Sequence, residues 1–138
     1  MMNRIYFFLL FFFVSVHVSA QNHWNADTLK VPKNFENVHV QTLAHDSLQS
    51  VFVIWVKKEV KGHFHAAHTE CIVVLEGKAL MRLNDQIITI KRGDVIHVPS
   101  GTKHAVLEVK GNKTLKVLSI QAPYFDGKDR IFIQDNAP

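Results

Sequence analysis

Gly62-His63-Phe64-His65-Ala66-Ala67-His68-Thr69-Glu70-Cys71-Ile72-Val73-Val74-Leu75-Glu76-Gly77 is the stretch whose reading decides the fold. Side chains two residues apart on a strand share a face, so His63 and His65 point one way and Phe64 the other. After a short irregular step at Ala66–Thr69, the apolar run from Cys71 to Leu75 resumes as a strand. If Glu70 faces inward, Ile72 and Val74 do too, while Cys71, Val73 and Leu75 face outward. That outer row is itself apolar and calls for cover by a second sheet or a partner subunit. On this reading Cys71 is a small buried hydrophobe, not a ligand or a redox group. It is also the only cysteine, so no internal disulfide forms.

A second stretch, from Gly93 through Pro99 and Gly101 to His104, ends in another imidazole. Proline fixes φ and glycine is free to take φ > 0, so Pro99-Ser100-Gly101-Thr102 makes a rigid corner with His104 just beyond it. Three imidazoles and one carboxylate (His63, His65, His104 and Glu70) suit one divalent transition metal ion: Mn, Fe, Co, Ni, Cu or Zn. Around an octahedral ion four protein ligands leave about two positions for water, substrate or dioxygen. Around tetrahedral zinc the same four close the site.

Outward from these stretches the chain is a succession of short apolar runs. They are Val38–Leu43, Val51–Val60, Cys71–Leu75, Ala79–Leu83, Ile87–Ile90, Val95–Val98, Ala105–Val109 and Leu115–Ile120. Turn formers separate them, at Glu76-Gly77, Asn84-Asp85, Arg92-Gly93-Asp94, Ser100-Gly101 and Gly111-Asn112. No helix of ten or more residues is expected, and the pattern predicts an all-β sandwich or barrel of antiparallel strands. Asn84-Asp85 predicts a tight hairpin. Residues 21–37 are polar and mixed, a loose arm or an edge strand. In the tail, Ile131-Phe132-Ile133 is expected to dock on the barrel.

The two stretches, written H-x-H-x4-E-x6-G and G-x5-P-x-G-x2-H, resemble the two signature motifs of the cupin family, and the resemblance covers about residues 50–121. It implies a single cupin barrel, the jelly roll or double-stranded β-helix, often paired into homodimers. It implies that His63, His65, Glu70 and His104 are the metal ligands. Two positions depart from the pattern. Lys57 stands where a glycine usually precedes the first histidine, although Gly62 is adjacent to it, and Glu108 replaces an asparagine. His104, Val106 and Glu108 share a face on an unbroken strand, which would aim Glu108 toward the bore. The alternative leaves Glu108 at a strand end in solvent. His68 is either a proton shuttle or substitute ligand, or an exposed loop residue. His97 faces either the bore or the outside.

Met1-Met2-Asn3-Arg4, an apolar run from Ile5 to Val14, and Val18-Ser19-Ala20 read as a secretory signal peptide cut after Ala20. The run is shorter than the roughly 20 apolar residues of a membrane span. The expected organisation is a signal peptide over 1–20, an N-terminal arm over 21–45, a barrel over 46–122, and a tail over 123–138 packing on it. Export to the periplasm or the cell exterior follows, with no membrane attachment after cleavage. Loss of Arg4 takes the 16 basic residues to 15 against 12 acids, a net charge of +3. The lysines are scattered, which argues against a nucleic-acid partner. The partner expected is a small-molecule ligand or substrate. The family includes dioxygenases, decarboxylases, lyases and isomerases, so the expectation is a metal-dependent enzyme acting on a small organic molecule. Its rival is a non-catalytic barrel that binds a small molecule or sugar.

Overall fold

The computed structural model describes residues 23–133, so the segment read as a signal peptide lies outside the described residues. Within them there are ten strands and no helix: β1 (Val38–His45), β2 (Ser50–Val56), β3 (Val60–Phe64), β4 (Thr69–Glu76), β5 (Lys78–Leu83), β6 (Gln86–Lys91), β7 (Val95–Val98), β8 (His104–Val109), β9 (Leu115–Ala122) and β10 (Ile131–Phe132). They form two five-stranded sheets, ordered β1-β2-β9-β4-β7 and β10-β3-β8-β5-β6, with every pairing antiparallel. From β2 to β9 the chain changes sheet at each connection except the β5–β6 hairpin, which is the winding of a jelly roll.

Asn84-Asp85 makes that hairpin, with Leu83 opposite Gln86 and Asn84 at φ 50°. A two-residue hairpin turn needs φ > 0, which asparagine tolerates. The apolar stretch Val51–Val60 is two strands, not one. Lys57-Lys58-Glu59 turn the chain from one sheet to the other, and the Asn37 side-chain carbonyl accepts from the Lys58 amide at 2.9 Å. Gly77 closes the first motif at φ 86°. A Cβ there would stand 2.8 Å from the Thr114 carbonyl oxygen and 2.9 Å from the Leu115 Cα, so no larger residue fits beside β9.

On β4, Glu70, Ile72 and Val74 are buried and alternate with half-buried Cys71, Val73 and Leu75. The inward rows of both sheets meet in one core of Val56, Ile72, Val74, Ala79, Met81, Ile90, Ile96, Val98, Leu115 and Val117. Cys71, expected as a small buried hydrophobe, is half-buried on the outer face of β4. No second sheet lies on that outer face among the described residues. Cover there comes in part from the N-terminal arm, whose Ala26 and Leu29 carbonyls accept from the Lys116 ammonium beside buried Trp55.

Candidate metal centre

Each histidine of the cluster is set by its strand and then oriented by a backbone carbonyl. His63 and His65 follow one another on the inward side of β3 and its end, and His104, first residue of β8, lies opposite His63 in the ladder. All three are buried. One ring nitrogen of each lies within 4.8 Å of its counterparts on the other two. The Nδ1 atoms are already engaged: His63 with the Lys61 carbonyl at 2.8 Å, His104 with the Thr102 carbonyl at 3.0 Å, and His65 with the Asp129 carbonyl. A carbonyl only accepts, so each ring donates from Nδ1–H and offers the Nε2 lone pair. The Nε2 atoms of His65 and His104 are buried without a hydrogen-bond partner. Buried polar atoms are nearly always satisfied, and two imidazole nitrogens without a hydrogen bond, turned together, fit the binding of a cation.

Glu70 stands beside this trio. Its Oε2 lies 3.3 Å from His104 Nε2 and 3.8 Å from His65 Nε2, and its Oε1 accepts from the Ser119 hydroxyl at 2.5 Å. Burial opposes ionisation of this carboxyl, but the His104, His65 and Ser119 contacts outweigh it and hold its pKa well below the usual range. The His63 pKa is lowered to about 4, first by burial and then by the neighbouring His104. It is neutral near pH 7, the form that binds metal. The corner before His104 is tied to the first motif, since the Gly101 amide, at φ 78°, donates to the His65 carbonyl at 2.7 Å.

His68 joins neither solvent nor the cluster. It is buried, with Nδ1 2.5 Å from Asp129 Oδ2 and Nε2 2.9 Å from the Tyr124 carbonyl, so both nitrogens are taken. Burial lowers the His68 pKa, yet the Asp129 and Tyr124 contacts raise it overall. Asp129 in turn is lowered to about 2, chiefly by His68. His97 is exposed on the outer face, opposite Cys71. Glu108 is exposed as well. β5 pairs Leu80 with Glu108 and Met81 with Val106, so Leu107 bulges out and the shared face of His104 and Val106 ends before Glu108.

Three contributors escaped the sequence reading. Ser119 and Gln121 are polar residues two apart on the inward face of apolar β9, a period-2 signal that was there to find. Asp129 gave none. Its carboxylate also accepts from the Ala66 and Ala67 amides at 2.9 and 2.8 Å, more than sixty residues back in the chain. His63, Glu70 and His104 of the cluster open into a narrow cavity between the two sheets. Its walls are mainly Val, Ile, Leu and Met, with Gln121 and Arg130 as polar exceptions.

A family model described as a cupin domain matches residues 50–121. Among curated proteins the chain is 29% identical over 99 residues to an uncharacterized protein of Aquifex aeolicus, covering 72% of this chain and 80% of that one. It is 31% identical over 75 residues to quercetin 2,3-dioxygenase of Bacillus subtilis, covering 51% of this chain but only 22% of that enzyme. Similar solved structures include KdgF from Halomonas sp. (TM-score 0.61, 18% identity, 68% of this chain and 86% of that one). Another is the nucleoside dehydratase Pac13 of Streptomyces (TM-score 0.62, 17% identity, 72% and 82%). At such identities the structural likeness is one of fold.

Proposed function

Because the chain belongs to the cupin family, we propose that it is a metal-dependent enzyme acting on a small organic molecule. One divalent transition metal ion would be held by His63, His65, Glu70 and His104. The observation that carries this reading is the pair of buried, unpartnered Nε2 atoms of His65 and His104, facing an ionised Glu70 at an apolar cavity. A bound ion would supply Lewis acidity, holding substrate oxygens and stabilising negative charge that develops on them. The chain's own groups do the rest. The carbonyls of Lys61, Thr102 and Asp129 orient the rings, and Ser119 orients the carboxylate. The apolar walls keep water from the substrate. Relatives named as a dioxygenase and a dehydratase support an oxidative or lyase-type reaction. Export through residues 1–20 belongs to the same proposal.

Metal analysis of the purified chain beside a His104→Ala variant tests it. About one ion per chain is expected in the wild type, and loss of that ion in the variant. No metal in either sinks the reading. The mostly apolar lining also favours a second reading, a barrel that binds without catalysis. Saturable ligand binding with no turnover by the metal-loaded protein would select it.

A further inference from the structure

The cavity holds one fixed cationic group that the metal site does not use. Arg130 lines the cavity together with His63 and His104, and its Nε is buried with no hydrogen-bond partner. Among the described residues no carboxylate lies within 4.0 Å of it, although six other ion pairs are present. An orphaned guanidinium donor is costly to bury, because donors that lose water normally regain a partner.

Its position is not accidental slack in the tail. On one side Asp129 is bound through its carboxylate to Ala66, Ala67 and His68, and through its carbonyl to His65. On the other side Ile131 and Phe132 pair with Phe64 and His63, and the Ile133 amide donates to the Gly62 carbonyl at 2.9 Å. The backbone at Arg130 is thus held from both sides, by β3 and by the loop that follows it. A second polar group, Gln121, lines the cavity. Ser119 gives its only proton to Glu70, so it can only accept from Gln121 Nε2, at 3.5 Å. That orients the amide and leaves Gln121 Oε1, buried and unpartnered, as an acceptor in the cavity wall.

We infer that the cavity takes a small organic acid, a carboxylate on an apolar body, with Arg130 as the partner of the carboxylate. The inference rests on the proposed small-molecule reading of this cavity and narrows it to a substrate class. A planar guanidinium suits a carboxylate better than any neutral oxygen, and charge-assisted bonds are the stronger kind. The valines, isoleucines and Met81 along the bore suit the apolar body. Gln121 adds an acceptor for a hydroxyl or amine on it.

The test is calorimetric binding of benzoate, phenylacetate and hexanoate, each beside its neutral amide, to the full chain with and without metal. Each is repeated on Arg130→Met, which keeps the bulk and removes the charge, with metal content and melting temperature recorded for both proteins. At least one acid should bind the wild type tenfold or more tighter than its amide. Arg130→Met should lose that preference while keeping its metal content. Equal binding of acid and amide, equal binding by the variant, or no binding of any acid overturns the inference. If the variant has a lowered melting temperature, Arg130→Lys decides, since it should recover part of the preference for the acid. Wild-type protein that takes up no metal yet binds the acid through Arg130 would defeat the metalloenzyme reading and leave this inference standing.

Discussion

The inward row of β4 carries two different regions within five residues. Ile72 and Val74 lie in a core with Met81, Ile90 and Leu115, apolar side chains that pack the barrel and ask for no polar partner. Glu70, on the same face of the same strand, lies among groups that each require a partner. At the apolar end the fold is complete within the chain. At the polar end His63, His65 and His104 are tied by one nitrogen each, and two of the other nitrogens, on His65 and His104, make no hydrogen bond and face the Glu70 carboxylate. The contrast separates groups satisfied by packing from groups that need a partner. Packing at one end supports an unsatisfied polar cluster at the other.

That separation can be broken most forcefully from the apolar end. Met81→Ala, at a position 1% exposed, should cost about 2–5 kcal/mol in denaturant unfolding. The folded variant should still bind metal with the wild-type stoichiometry. If metal is lost in proportion to stability, the two regions are one unit. A smaller effect is expected from the tail. Asp129→Asn keeps the backbone carbonyl on His65 but weakens the grip on His68 and the Ala66–Ala67 amides. A chelator competition should show metal affinity falling by roughly 10-fold, as when an outer partner of a ligand is changed. Unchanged affinity would remove the tail from the site.

The smallest expected effect concerns protons. In metal-stripped protein, His63 titrates at about 4 when folded and near 6.5 when unfolded. Between those values the unfolded chain binds the proton and the folded chain does not, so His63 makes stability fall as pH drops through that window. His68 works in the opposite sense. Its raised pKa favours the folded state at low pH, and that contribution is lost as pH rises through the folded value. Melting curves of His63→Leu against wild type between pH 7 and 4 isolate the first effect, since His68 is common to both. The variant should lose a few degrees less on acidification. Parallel curves would show that the buried ring does not resist protonation.

Much of the architecture was legible because strand periodicity and turn chemistry are local. The apolar runs became strands, and Asn84-Asp85 became the hairpin. His63, His65 and His104 share one cluster because alternation on β3 and a rigid corner before β8 are both written in short stretches. The failures have physical reasons of another kind. Glu108 faces solvent because a bulge at Leu107 shifts the strand's alternation, and a bulge is decided by the neighbouring strand β5. Val51–Val60 divides because Asn37, fourteen or more residues earlier, accepts from the turn at Lys58. Asp129 and Arg130 act through contacts with β3 and the loop after it, and no periodicity in Asp126-Gly127-Lys128-Asp129-Arg130 announces them.

The tail's grip on His65 also sets an order of events. A polypeptide is made from its N-terminus, so His63 and His65 are available long before Asp129 and β10 exist. The β3 end of the site can take its final form only when residues 129–133 have been released to pair with it. A chain synthesised only as far as β9 therefore holds a looser set of histidines than one that includes residues 129–133. Under the proposed reading, tight metal capture would wait until synthesis has passed residue 133.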